Sequence, residues 1–252
     1  MTEDKKQALV LWLEEVGIDD VALVGGKNAS LGEMIRELGS QGVKVPTGFV
    51  VTATAYTRFL EETGLKEKIK ELLAGLDTSN LRQLAQAGES IREAIVGTQF
   101  PMTLLTAVTE RYAEMEQRYG QDVDVAVRSS ATAEDLPGAS FAGEHDTYLG
   151  IRGVGDVIKA IKSAMASLFT NRAISYRVDK GFDHMKVALS VTIQQMVRSD
   201  LGASGVMFTV DTESGFKDLL IINGSWGLGE MIVQGEVSPD EFFVYKPKLN
   251  QS

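Results

Sequence analysis

One stretch of this chain, residues 127–150, combines a strand-like entry, a single arginine and a run of small side chains. It reads VRSSATAEDLPGASFAGEHDTYLG, and the preceding residues 123–127 have the apolar character of a strand. Small residues let backbone N–H groups approach an anion, and the guanidinium of Arg128 can pair with two phosphate oxygens. The stretch therefore predicts a polyphosphate-binding loop, with a mobile surface connection as the alternative. It matches neither GxxxxGK[ST] nor GxGxxG after a strand.

A second segment, residues 24–38, also points to a negative ligand. It reads VGGKNASLGEMIREL, in which a glycine pair and Lys27 precede apolar residues at helical spacing. The pattern predicts a helix over residues 28–38, capped by Asn28 or Ser30. The helix dipole does not favour a lysine at the positive end of a helix, so a bound anion is a reason for Lys27. The alternative is a solvated lysine in a turn.

Composition narrows the class of partner. The 252 residues carry a net charge of −10, which argues against a general nucleic-acid or anionic-membrane surface. An acidic chain that binds a polyphosphate has to concentrate its cations locally, which draws attention to Lys27 and Arg128. The chain has no cysteine, which excludes disulfides and thiolate chemistry and fits a cytoplasmic protein. No run approaches membrane-spanning length, and the N-terminus has no apolar signal-peptide core.

The periodicity of apolar residues predicts an α+β (mixed α/β) fold. Helices are expected through residues 53–119, with Pro101 at a helix start, and in a long amphipathic helix capped by Asp156. A glycine-rich turn is expected at residues 224–229. Strands are predicted at residues 9–14, 43–52, 147–151, 186–197, 204–210, 218–223 and 241–245.

Several motifs, in order along nearly the whole chain, carry a family resemblance. They include VALVGGKNASLGEMI, VAVRSSATAEDLPGASFAGEHDTYLGI and GSWGLGEMIVQGEVSPDEF. Together they resemble the N-terminal nucleotide-binding domain of the phosphoenolpyruvate synthase (pyruvate, water dikinase) family. The resemblance implies an ATP-grasp-like fold of two mixed lobes with the nucleotide between them. Residues 1–200 would form the first lobe, with a helical insertion at 53–119 and a phosphate loop at 128–147, and residues 201–252 the beginning of a second, incomplete lobe.

The resemblance also implies which residues contact ATP. Lys27 and Arg128 match the catalytic residues that hold the nucleotide phosphates in the family. Two further matches lie at loop positions that contact ATP, namely Gly143 and Thr147. Residues 133–144 would close over the phosphates when ATP binds.

Adenine would be bound by the segment that joins the two lobes. In the family, its backbone groups and a glutamine side chain hydrogen-bond the base, while apolar atoms stack on it. The matching residues are Gln194, Met196 and Val197. The alternative for Met196 and Val197 is a place in the core at a strand end.

Other polar residues are given no part in the site. Glu134 and Asp135 are interpreted as an acidic turn, with a lid hinge or a metal contact as the alternatives. Arg92 has a helical spacing that is compatible with a solvated side chain, and it receives no role. Glu230 and Glu236 follow a glycine turn from which they could reach the cleft, and they receive no role either. The family carries phosphate on a histidine in a TSHAA-like motif, and neither His145 nor His184 has that context. The family's magnesium ligands lie in DIEW-like and QARPET-like strands, which are expected beyond residue 252, so no metal ligand is assigned within the chain.

The implied function is the ATP-binding step of a dikinase. ATP would phosphorylate a histidine on a separate swivel domain, with Mg²⁺ as the metal cofactor, and release AMP and phosphate. The phosphohistidine would then convert pyruvate to phosphoenolpyruvate in a pyruvate-binding domain. Two alternatives stay open: a related dikinase or phosphotransferase of the rifampicin, glucan or pyruvate-phosphate type, and a stand-alone nucleotide-binding module without catalysis. A homodimer is compatible with either.

Overall fold

The structure, a computed structural model, describes residues 2–132 and 147–249 of the chain. The chain divides into two compact units, one ending at Met196 and the other beginning at Val197. Each unit is built around its own antiparallel sheet. The sequence placed a lobe boundary slightly later, between residues 200 and 201, and the assignment of these units to ATP-grasp lobes stays a prediction.

The first unit contains a five-stranded sheet in the order β1-β2-β5-β3-β4. All neighbouring strands run antiparallel, and β5 is the central strand because it pairs with both β2 and β3. The strands are β1 (Val10–Trp12), β2 (Gly48–Val51), β3 (Val125–Ala131), β4 (Thr147–Ile151) and β5 (Leu189–Gln195).

Helices cover both faces of this sheet. The large core lies on the face with Phe49, Val127 and Val191, against the helices that follow β2 and β4. A smaller apolar cluster on the other face joins Leu11 and Val50 to the α2–α3 region. The helices are α1 (Glu3–Gln7), α2 (Val21–Val24), α3 (Gly26–Gly39), α4 (Ala53–Glu62), α5 (Leu65–Leu73), α6 (Leu81–Gly97), α7 (Met102–Tyr119), α8 (Val154–Ala166) and α9 (Asn171–Asp179).

Local sequence explains where several of these helices begin. The side chains of Thr52, Asn80 and Thr170 accept hydrogen bonds from backbone N–H groups in the first turns of α4, α6 and α9. Pro101 precedes the first residue of α7, as predicted, since its fixed φ angle suits a helix start. The predicted helical character of residues 53–119 is confirmed.

The second unit is a three-stranded antiparallel sheet in the order β6-β7-β8. Its described residues, 197–249, are all partly or fully exposed, and large apolar side chains such as Trp226, Phe242 and Phe243 are more than half exposed. Its elements are β6 (Ala203–Phe208), β7 (Leu219–Trp226), α10 (Glu230–Val233) and β8 (Asp240–Tyr245).

The structure corrects several predicted boundaries. Gly153, and not Asp156, precedes the first residue of α8, and Asp156 lies in the first turn, where its charge complements the helix dipole. The strand predicted over residues 43–52 is limited to β2, at 48–51. Gly224 belongs to β7 because its backbone pairs with Gly205 and Asp240, so the predicted glycine-rich turn begins later.

The predicted fold class is confirmed, since the two units combine antiparallel sheets with helices in a mixed α+β arrangement. Within residues 2–132 and 147–249, no helix has both the length and the apolar character needed to cross a bilayer.

Candidate functional site

Arg128 lies in the middle of β3, with its side chain exposed between the buried residues Val127 and Ser129. Directly opposite it are Thr192 on β5 and Thr147 on β4. Directly paired residues of antiparallel strands project from the same face of a sheet. The structure therefore brings Arg128 and Thr147, two of the predicted site residues, together on one face.

The strand itself is longer than the sequence suggested. Ser129, Ser130 and Ala131 were predicted to begin the phosphate loop, but they pair with Val191, Ser190 and Leu189 of β5. The prediction was wrong at these positions because their backbone hydrogen bonds come from a strand about 60 residues away in the chain. The remaining loop prediction, including Gly143, Glu134, Asp135 and His145, lies outside the described residues.

The face that carries Arg128 is polar around this position. Its polar neighbours along β3 and β5 on that face are Ser130, Ser190 and Gln194, and the small Ala126 lies on its other side in β3. All three polar residues are buried, whereas the valines of the same strands belong to the large apolar core on the opposite face. A sheet face with buried hydroxyl and amide groups needs specific hydrogen-bonding partners.

The amino-terminal end of α3 lies over this polar face. The helix begins at Gly26 and has no side-chain cap, because Gly25 occupies the capping position with φ 77° and ψ 160°. The prediction that Asn28 or Ser30 caps the helix was wrong: the helix starts earlier and the Asn28 side chain is used elsewhere. The first-turn N–H groups have no carbonyl partner within the helix, and together with Lys27 they make this end favourable for an anion.

The close approach of helix and sheet depends on a glycine. A Cβ atom on residue 25 would lie 2.2 Å from Ser130 Oγ. Ser130 is 1% exposed, and among the described residues its hydroxyl has no hydrogen-bond partner. The glycine pair noted in the sequence thus lets the chain turn directly above β3, two residues from Arg128.

Asn28 connects the helix to the sheet. Its Nδ2 donates to the carbonyl oxygen of Val24 and to Ser190 Oγ, both at 2.9 Å. Its Oδ1 accepts a hydrogen bond from Thr192 Oγ1, and Ser190 Oγ donates to the same Val24 carbonyl. The arrangement links the residue next to Lys27 to the residue directly opposite Arg128.

This connection was not predicted from the sequence. Residues 186–197 were predicted to form one buried strand, with no distinction between its two faces. The signal was present, since Ser190, Thr192 and Gln194 alternate with Leu189, Val191 and Ile193. An alternation of this kind predicts a strand with one polar and one apolar face.

The predicted adenine segment lies at the end of β5. Gln194 is buried, and its Nε2 donates to the Pro46 carbonyl oxygen at 2.7 Å. The Met196 N–H donates to the Asp124 carbonyl oxygen at 2.9 Å. Val197 is 61% exposed and is the first residue of the second unit, and neither Met196 nor Val197 belongs to the buried core.

His184 has a structural environment of its own in the first unit. Its Nδ1 accepts a hydrogen bond from Nε of the buried Arg177 at 2.9 Å. Burial, followed by the charge of Arg177, lowers the pKa of His184 to about 4. The imidazole is therefore neutral at pH 7 and holds Arg177 in place.

The acidic residues do not assemble a metal site in the described part of the chain. No group of three or more histidine, aspartate or glutamate side chains there could hold a metal ion. Glu230 accepts a hydrogen bond from Gln234 within the second unit, and Glu236 is exposed. Arg92 is half-buried, and its Nη1 donates to the Phe169 carbonyl oxygen at 2.7 Å.

These features define a class of protein. It is an α+β domain in which an uncapped helix end that carries a lysine lies above a polar sheet face, and this arrangement is suited to binding an anionic ligand. Comparison with known proteins is more specific. Residues 21–251 match the family model of the pyruvate phosphate dikinase AMP/ATP-binding domain. The chain belongs to this family.

Proteins similar to this chain include phosphoenolpyruvate synthases. The chain is 57% identical to that of Aquifex aeolicus over 99% of its own length, 55% identical to that of Synechocystis over 98%, and 52% identical to that of Escherichia coli over 99%. It covers 29% of the Aquifex protein and 31% of each of the other two. The family resemblance inferred from the sequence is confirmed.

Proposed function

We propose that this chain is the ATP-binding domain of a phosphoenolpyruvate synthase. The observation that carries the proposal is the position of the uncapped α3 end and Lys27 beside the strand of Arg128, linked through Asn28 and Thr192. Membership of an AMP/ATP-binding family supports the phosphate chain of a nucleotide as the anion at this place. The ATP-grasp-like assignment of the fold supports the same ligand.

Each residue of the site makes a different contribution to phosphate binding. The guanidinium of Arg128 forms two parallel hydrogen bonds with phosphate oxygens, while Lys27 adds a point charge and the first-turn amides of α3 donate hydrogen bonds. Thr147, opposite Arg128 on the outer strand, supplies a hydroxyl on the same face. Gly143 completes the set of phosphate contacts.

The base binds at the end of β5 and just beyond it. Backbone groups of the 194–197 segment hydrogen-bond adenine, and the side chains of Met196 and Val197 offer apolar surface for stacking. The Gln194 amide already donates to Pro46, so its free acceptor, Oε1, is the atom available to the adenine amino group.

The reaction is a transfer of phosphoryl groups in which the chain positions ATP and neutralises charge. ATP, water and pyruvate give AMP, phosphate and phosphoenolpyruvate, by way of a phosphohistidine on a swivel domain and a separate pyruvate-binding domain. Mg²⁺ would accompany ATP, but the described residues contain no cluster of histidine or acidic side chains that fits it. The absence of cysteine agrees with a reaction in the cytoplasm.

A chimera tests whether this chain performs the ATP-binding step of such an enzyme. Replacing the corresponding residues of the Aquifex phosphoenolpyruvate synthase, which are 57% identical, with this chain should preserve formation of AMP, phosphate and phosphoenolpyruvate in equal amounts. The 252-residue chain alone should show only background, because it covers 29% of that protein. A folded chimera that binds ATP but yields no AMP would favour the stand-alone nucleotide-binding module instead.

A further inference from the structure

A small polar cluster lies buried between α3 and the sheet. It consists of Asn28, Ser190 and Thr192, which are 4%, 1% and 2% exposed. Hydrogen bonds join Asn28 to the hydroxyl groups of both Ser190 and Thr192, and the Val24 carbonyl oxygen accepts from Asn28 and Ser190. Burying polar groups of this kind has a desolvation cost. Holding α3 against the sheet therefore does not by itself explain why polar residues occupy these positions.

Adhesion between α3 and the sheet is already supplied by apolar side chains. Leu11 and Val50 on this sheet face pack in one cluster with Leu23, Val24 and Ala29. Apolar contacts are non-directional and tolerate small shifts of a helix along a sheet. Hydrogen bonds from one amide to two strand hydroxyls do not, since each has a preferred length and angle.

The cluster is placed where a shift of α3 would matter most. Asn28 follows Lys27 directly in the first turn of the helix, and Thr192 is the residue directly opposite Arg128. A displacement of the helix end moves Lys27 relative to Arg128. In contrast, the middle and the carboxyl end of α3 have no described side-chain hydrogen bond to β3 or β5.

We propose that Asn28 is a positioning residue, which acts with Thr192 and Ser190 to fix Lys27 at the distance from Arg128 that the nucleotide phosphates require. The inference deepens the proposed function and rests on it. It assigns to the cluster an effect on ATP affinity that passes through Lys27, in addition to any effect on folding.

A double-mutant cycle separates these two effects. The variants are Thr192→Val, which is nearly isosteric and removes the hydroxyl donor to Asn28, Lys27→Ala, and the two combined, each titrated with ATP by calorimetry in the whole 252-residue chain. Thr192→Val should weaken ATP binding about 3- to 10-fold, and the double variant should bind ATP within about twofold of Lys27→Ala alone. Thr192→Ser, which keeps the hydroxyl, should restore wild-type affinity.

Tyr112→Phe is the matched control. Tyr112 is 1% exposed, donates to the Val123 carbonyl oxygen at 3.0 Å and accepts from the Gly153 N–H at 2.8 Å. Its side chain lies in the large core on the opposite face of the sheet. The control therefore also loses a buried hydroxyl, and it should lower thermal stability without changing ATP affinity.

The outcomes distinguish this inference from the proposed function. No loss of affinity in Lys27→Ala would overturn the proposed function itself. A loss in Lys27→Ala with a fully additive loss from Thr192→Val would leave the proposed function standing and overturn the positioning role. If Thr192→Val does not fold, Ser190→Ala takes its place, since it removes one partner of Asn28 Nδ2 and should show the same non-additivity.

Discussion

The backbone of Gly25 passes directly over the hydroxyl of Ser130, so closely that a Cβ atom on residue 25 would lie 2.2 Å from that oxygen. The backbone angles of Gly25, φ 77° and ψ 160°, fall in a region that only glycine adopts at low cost. Two independent requirements, conformation and space, therefore fix glycine at the start of α3.

Replacing Gly25 with alanine should destabilise the chain by about 1–3 kcal/mol and weaken ATP binding, because the α3 end must move away from β3. Gly39→Ala is the matched control in the same helix. Its Cβ would meet nothing within 4 Å, so it should be neutral or slightly stabilising. Chemical denaturation measures both variants, and an equal effect of the two would contradict the account.

The two buried serines that face α3 should respond in opposite ways to alanine. Ser190 bonds with Asn28 and Val24, so Ser190→Ala should cost about 1–3 kcal/mol of unfolding free energy. The Ser130 hydroxyl has no partner among the described residues, so Ser130→Ala should be neutral or stabilising. Denaturation midpoints compare them, and a larger loss in Ser130→Ala would show that its hydroxyl has a partner.

The contact between Arg177 and His184 should make stability depend on pH. The pKa of His184 is lowered to about 4, below its ordinary value of about 6.5, so the unfolded chain binds this proton more readily than the folded chain. The stabilisation is complete above about pH 6.5 and is lost as the pH falls towards 4.

His184→Asn tests this directly, since an amide oxygen can accept the Arg177 N–H without titrating. Urea unfolding at several values between pH 7.5 and 4.5 should show a steeper loss in the wild type than in the variant. Parallel curves would mean that protonation of His184 does not weaken the contact with Arg177.

The central strands of the two sheets should differ in hydrogen exchange. β5 and β7 are both paired on two sides, but β5 is buried along almost its whole length, whereas no residue of β7 is buried. Local opening costs less where few apolar contacts are lost. Amides of β7 should exchange faster than those of β5 in the native chain, and equal protection would contradict this expectation.

The sequence predicted the secondary structure correctly where the pattern depends on neighbouring residues. The apolar spacing of α3 and of the helices between residues 53 and 119, and the strand at β4, were all predicted correctly. These predictions need only neighbouring residues. The choice of Lys27 and Arg128 as phosphate-binding residues also came from local pattern and from family motifs, and it stays a prediction.

The failures share a dependence on contacts between distant parts of the chain. Ser129 and Ser130 resemble loop residues in composition but belong to β3, because β5 provides their hydrogen-bonding partners. Asn28 resembles a helix cap, but its side-chain amide forms hydrogen bonds with Thr192 and Ser190, which lie more than 160 positions later in the chain. Neither outcome is visible in a local pattern, since tertiary pairing overrides local preference.

The most direct test of the central claim, that ATP phosphates bind at Arg128 and Lys27, is calorimetric titration with ATP. Arg128→Ala should lose about 1.5–3 kcal/mol of binding free energy, and Lys27→Ala somewhat less, because lysine contributes a point charge without paired hydrogen bonds. The controls are Arg58→Ala and Lys68→Ala, which remove exposed charges from α4 and α5 and should leave affinity unchanged. If Arg128→Ala binds ATP as tightly as the wild type, Arg128 is not part of the site and the account is wrong.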